Sequence, residues 1–103
     1  MNAAVKRLPP AEADIIRAAE WYDDQQPGLG ADFAREVDAI ISCLATTALL
    51  HSIRFAAVRR APLKRFKQSS VFYFLDGEGV IVFAVFHGAR HPQWLRHRRT
   101  QIL

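Results

Sequence analysis

The alternation of apolar and polar residues along the chain predicts one short strand, two helices and three further strands. Residues 11–24 and 31–46 carry apolar side chains at steps of three and four, which is typical of amphipathic helices. The Pro-Gly segment between them predicts a tight turn and an antiparallel helix hairpin. Strands are predicted where β-branched and aromatic residues concentrate, in residues 3–8, 58–63, 70–75 and 80–87.

This order of elements predicts the α+β class. The β-α-α-β-β-β order places the helix hairpin on one face of a small, mainly antiparallel sheet, and the first strand joins beside the last. Residues 92–99 are expected to add a short C-terminal helix. We expect a single domain over residues 1–103, because a chain of 103 residues supports one core of modest size.

The last predicted strand is apolar on both faces, because residues 80–86 form an unbroken apolar run. The helix hairpin covers one face of this strand. The other face needs a cover as well, either the C-terminal tail or another molecule. We expect a partner polypeptide to provide it, because the strand leads directly into a basic cluster.

Charge strengthens the expectation of a partner. The net charge is +4 and the pI is about 9.8. Most of the 14 lysines and arginines lie from Arg54 onward, whereas most acidic residues precede residue 39. A basic region of this kind favours an anionic partner, either nucleic acid or an acidic protein.

The cellular compartment is predicted from what the sequence lacks. The single cysteine, Cys43, has no partner for an internal disulfide, and its place in a helical apolar stripe predicts a core residue. The first ten residues contain no apolar signal segment, and no apolar stretch has the length of a membrane span. We therefore expect a cytoplasmic protein without a membrane partner.

Candidate chemistry centres on the histidines and arginines. His87 and His91 lack a cysteine or carboxylate to complete a metal site, so neither a metal nor a cofactor is expected. The same histidines could transfer protons in RNA cleavage, with Arg65 and Arg90 holding the phosphate. The alternative is that these bases solvate the rim of the sheet or contact an acidic partner. Whether the chain is an enzyme therefore stays open.

Two adjacent aromatic residues, Trp21 and Tyr22, also have two interpretations. They could form a patch that binds a partner. Tyr22 fits the apolar face of the first helix and Trp21 borders that face. Packing in the core is therefore favoured for both.

Three linked stretches resemble the RelE/ParE-type toxins. Residues 18–33, AAEWYDDQQPGLGADF, resemble the helix-hairpin signature of that family. Residues 58–61 with 70–73, VRRA and SVFY, and residues 84–92, AVFHGARHP, resemble its strands. The resemblance spans nearly the whole chain in the right order.

This resemblance implies the toxin of a type II toxin–antitoxin system. A cognate antitoxin with a flexible segment would neutralise the toxin by wrapping it, in a hetero-oligomer. The expected antitoxin-binding and basic surface comprises Arg59, Arg60, Lys64, Arg65, Val82, Ala84, Phe86, Arg90 and Trp94.

The branch of the family determines the expected target. RelE-like members cut messenger RNA on the ribosome, and commonly have an arginine three residues before the tyrosine of the penultimate strand. Here Ser70 precedes Tyr73, and the tail lacks a tyrosine, with Trp94 and His97 as the nearest substitutes. Arg90 does match the arginine after the last strand. These features favour the ParE-like branch, which acts on DNA gyrase, with a ribosome-dependent mRNA endoribonuclease as the alternative.

Overall fold

The computed structural model describes residues 4–77, 79–87 and 93–102. Its elements are β1 (Val5–Arg7), α1 (Pro9–Gln25), α2 (Leu29–Thr47), a 3-10 turn (Ala48–Leu50), β2 (Ile53–Phe55), β3 (Val58–Pro62), β4 (Ser69–Asp76), β5 (Gly79–His87) and α3 (Gln93–Thr100). The five strands form one sheet in the order β1-β5-β4-β3-β2. β1 runs parallel to β5, and the other pairs are antiparallel. The predicted α+β fold, its helix hairpin and its C-terminal helix are confirmed.

The turn between α1 and α2 depends on two glycines. Gly28 adopts a φ of 90°, a left-handed conformation that glycine tolerates best. Gly30 lies where the two helices approach each other closely, because an added Cβ would stand 2.2 Å from the carbonyl oxygen of Ala19. Its N–H donates to the carboxylate of Asp23 at 2.7 Å, which fixes the start of α2 against α1.

One core lies between the helix hairpin and the sheet. From α2 it contains the predicted apolar stripe, namely Phe33, Val37, Ile41 and Leu44. Phe66, from the basic connection between β3 and β4, packs against Tyr22 and Phe33 with ring centroids 4.8 and 5.3 Å apart. The prediction that Cys43 is a core residue is wrong, because it is exposed on the outer side of α2.

A second core lies on the opposite face of the sheet, beneath α3. Leu95 of α3 is completely buried there, together with Val58, Phe72, Phe74, Phe83 and Ala84. Burial of this apolar face by the chain itself releases water that would otherwise contact it. The C-terminal tail thus covers this part of the second face of β5, and the expectation that a partner polypeptide provides this cover is wrong.

The edge strand β2 is not among the strands predicted from the sequence. It pairs with β3 through a two-residue turn formed by Ala56 and Ala57, whose φ values are 40° and 64°. Tight hairpin turns of this kind are normally signalled by Asn-Gly or Asp-Gly. Because two alanines stand here instead, the sequence lacks the usual sign of a hairpin.

Candidate functional site

Beyond the end of its parallel partner β1, the edge of β5 forms hydrogen bonds with charged side chains. The last backbone hydrogen bond at this edge runs from the N–H of Leu8 to the carbonyl oxygen of Val82, at 2.9 Å. Further along, the N–H of Val85 donates to the Asp14 carboxylate at 3.0 Å. Arg98 donates to the carbonyl oxygen of Phe83 at 3.2 Å. Side chains from α1 and α3 thus replace a neighbouring strand.

Asp14 is the centre of this arrangement. Its side chain is only 6% exposed, yet it contacts two cations. Arg98 approaches both carboxylate oxygens, at 2.6 and 3.3 Å, and Arg17 approaches one of them at 3.0 Å. A buried carboxylate needs such compensation, because desolvation of an unpaired charge is costly. The cluster joins α1, β5 and α3 at one end of the molecule.

An apolar groove lies beside this cluster, between α1 and α3. Its volume is about 430 Å³, and it is lined by Asp14, Arg17, Ala18, Trp21, Val85, Phe86, Trp94 and Arg98. The Trp94 ring meets Phe86 edge to face, with centroids 5.3 Å apart. The Arg98 guanidinium lies 4.6 Å from the centre of the Trp94 ring, in a cation–π arrangement.

Both tryptophans of the chain line this groove. Trp21 is 52% exposed and Trp94 is 39% exposed. The favoured interpretation of Trp21 as a core residue is therefore wrong, whereas Tyr22 is buried as predicted. Phe86, which was expected to contact an antitoxin, is half-buried in the wall of the groove.

Two other residues of the expected antitoxin surface are inaccessible. Val82 and Ala84 are both completely buried. Val82 belongs to the core beneath the helix hairpin, and Ala84 belongs to the core beneath α3. The β5 strand is apolar on both faces as predicted, but neither of these side chains presents surface to a partner.

The basic residues of β3 do not form one continuous patch. Adjacent residues of a strand point to opposite faces, and here Arg59 and Arg60 have unrelated partners. Arg59 donates to the carbonyl oxygen of His51 at 2.7 Å. Arg60 donates to the hydroxyl of Ser70 at 2.8 Å, and Ser70 itself is completely buried.

Lys64 and Arg65 lie in the connection between β3 and β4, which is hydrogen-bonded to α2. The Arg65 guanidinium donates to Asp32 at 2.9 Å, and this bond holds the pKa of the Asp32 carboxyl below its usual value. The backbone N–H groups of Lys64 and Arg65 both donate to Glu36.

Of the remaining candidates for RNA cleavage, Arg90 and His91 lie outside the described residues. His87 ends β5, where its backbone pairs with Ser69.

A buried tyrosine on β4 forms a separate polar contact at the end of α2. The Tyr73 hydroxyl donates to the carbonyl oxygen of Ala48, and burial raises the pKa of Tyr73 to about 12. Burial also lowers the pKa of the neighbouring His51, helped by the charge of Arg59. The hydrogen bond from Tyr73 to Ala48 connects the end of α2 to β4 of the sheet.

No site role was assigned from the sequence to Asp14 or Arg17, and no specific contact was assigned to Arg98. A signal for Asp14 was present, because it stands between Ala11 and Ala18 at the steps of three and four that define a helix face. Acidic residues near a helix start are usually explained by the helix dipole, so the position of Asp14 did not indicate its contacts with Arg98 and Val85.

In the part of the chain that the structure describes, no cluster of three His, Cys, Asp or Glu residues is placed to hold a metal.

Comparison with known proteins shows a similar fold among solved structures. No family model matches the chain, and no curated protein matches it. A chain of the solved structure titled "Chromosomal ParDE TA system from P. aeruginosa" superposes with a TM-score of 0.75 at 15% sequence identity. The match covers 84% of this chain and 97% of that chain, so the two share a fold over most of this chain and nearly all of that one. No helix among the described residues is both long and apolar enough to span a bilayer.

Proposed function

We propose that the chain is the toxin of a type II toxin–antitoxin system and is neutralised by a cognate antitoxin in the cytoplasm. The observation that carries this proposal is the fold shared with a chain of a ParDE system over 84% of this chain and 97% of that one. The resemblance of residues 18–33 to the helix-hairpin signature of such toxins supports it independently. The exposed aromatic groove supplies a surface on which a protein partner could dock.

Expression in a sensitive host tests this proposal. Induction of the chain should arrest growth, and a frameshifted copy of the same gene should not. Harmless expression of the soluble, folded chain would contradict the proposal and would favour a binding module that retains only the fold.

The ParE-like branch is the finer proposal, with DNA gyrase as the target. Support comes from Ser70, which occupies the place of a nuclease arginine, is completely buried and accepts a hydrogen bond from Arg60. A buried serine supplies no cation for the charge of a cleaved phosphate. The purified chain should therefore inhibit supercoiling by gyrase and leave ribosome-bound messenger RNA intact. Intact supercoiling with cleaved message would favour the RelE-like endoribonuclease instead.

A further inference from the structure

The groove between α1 and α3 combines exposed aromatic walls with a cationic rim. We infer that it receives a large apolar side chain from an acidic segment of the antitoxin. This inference rests on the proposed function, because it locates the surface on which that partner docks and states the chemistry of the docking segment.

The walls of the groove have the composition of a binding hot spot. Trp21 and Trp94 line it with 52% and 39% of their surfaces exposed, and Phe86 and Val85 line it as well. Tryptophan is enriched among the residues that dominate interface energies, because it buries a large rigid surface at little entropic cost. The volume of about 430 Å³ lies within the range of about 300–1,000 Å³ that is typical of binding clefts.

The charges at the groove indicate an acidic occupant. Two arginines, Arg17 and Arg98, contact the single carboxylate of Asp14, so the cluster carries an excess positive charge. The Arg17 side chain is 69% exposed and can therefore contact a partner while it stays close to Asp14. A second copy of this chain, with a net charge of +4, would bring like charges together. An acidic partner segment is the better complement.

The closed edge of β5 defines how the segment binds. An extended peptide adds to a sheet by pairing with free N–H and C=O groups at the edge. At this edge the Val85 N–H is already bonded to Asp14, and the Phe83 carbonyl oxygen is bonded to Arg98. The partner should therefore insert a side chain between the tryptophans rather than extend the sheet at these groups.

Tryptophan fluorescence tests this inference directly, because the chain has only two tryptophans and both line the groove. The full chain is titrated with the protein encoded by the adjoining reading frame, whose own tryptophans are replaced by phenylalanine. Occupation of the groove should shift the emission to shorter wavelengths and protect both rings from acrylamide quenching. This measurement uses the wild-type chain and so does not depend on the folding of a variant.

Substitutions locate the contact. Trp21→Ala should weaken binding by at least about tenfold, which is the loss expected at a hot spot. Leu50→Ala is the matched control, because Leu50 is 80% exposed and lies beside β2 at the opposite edge of the sheet. It should leave the affinity unchanged. Arg17→Gln should weaken binding several-fold and reduce its dependence on salt.

Three outcomes would overturn the inference. Tight binding with unchanged emission and full affinity of Trp21→Ala would place the partner elsewhere and leave the proposed function standing. An emission shift that follows the concentration of the isolated chain would show that a second copy fills the groove. Absence of any complex, together with harmless expression, would remove the proposed function as well.

Discussion

Asp14 near the start of the first helix and Arg98 in the last helix form a two-point ion pair across the end of β5, with N···O distances of 2.6 and 3.3 Å. The two residues are separated by most of the chain, and their pairing fixes α3 over the second face of the sheet. The same carboxylate accepts the Val85 N–H, so one side chain joins three elements. The position of the aromatic groove depends on this contact.

Loss of the Asp14 carboxylate should destabilise the fold strongly. Asp14→Ala leaves the Val85 N–H unpaired and Arg98 without its partner, which should lower the free energy of unfolding by about 3–5 kcal/mol. Urea denaturation of the purified variant measures the loss. Glu12→Ala is the control, because it removes a carboxylate from an exposed position of the same helix. A loss below about 1 kcal/mol for Asp14→Ala, within the range of an exposed ion pair, would contradict the role assigned to this residue.

The turn between β2 and β3 should be improved by glycine. Ala57 has a φ of 64°, and a left-handed conformation costs a residue with a Cβ about 1–2 kcal/mol. Ala57→Gly should therefore raise the free energy of unfolding by about 1 kcal/mol. The same change at the exposed helical residue Ala13 should lower it by about 1 kcal/mol. Equal signs for the two variants would show that the turn is not strained as described.

The two glycines of the helix hairpin should respond differently to substitution. Gly28→Asn should be nearly neutral, because asparagine tolerates positive φ and an added Cβ at Gly28 meets nothing within 4 Å. Gly30→Asn should destabilise by at least about 2 kcal/mol, because its Cβ would collide with backbone and the helices must separate. Thermal unfolding of both variants checks this contrast. Similar losses at the two positions would refute the close helix contact.

Tyr73 should ionise late and make the fold sensitive to high pH. Burial raises the pKa of Tyr73 in the folded state to about 12, from 10.0 for an unperturbed tyrosine. The folded state therefore holds its proton between these values while the unfolded state releases it. This contribution to stability is fully present below pH 10 and is lost as the pH rises toward 12.

The ionisation is measured as the difference in phenolate absorbance between the wild type and Tyr73→Phe. Because the chain has only two tyrosines, the difference isolates one group. A transition near pH 10 in the difference curve, before unfolding begins, would mean that the hydroxyl is not buried as described.

The sequence predicted the parts of the fold that depend on periodic patterns. The steps of three and four in α2 predicted its buried stripe, and the turn glycines predicted the hairpin. The double-sided apolar character of β5 is also real, since Val82 and Ala84 are buried in different cores. Local sequence patterns do not show which element covers the second face of β5. Leu95 reaches that face because the chain after β5 folds back over the sheet, and this is a feature of the tertiary structure.

The candidate site was harder to predict than the fold. Trp21 borders the apolar stripe of α1, and periodicity alone does not distinguish the edge of a core from the wall of a groove. Asp14 and Arg98 are far apart in sequence, so no short motif connects them. The predicted basic residues do not form one continuous surface, because neighbours such as Arg59 and Arg60 point to opposite faces of β3.

We propose that this chain halts growth unless a specific partner binds it. The most direct measurement compares growth after induction of the chain alone with growth after induction together with the adjoining reading frame. We expect arrest in the first culture, recovery in the second, and a complex of the two proteins purified from the second. Unimpaired growth in the first culture, with the folded chain present, would contradict this proposal.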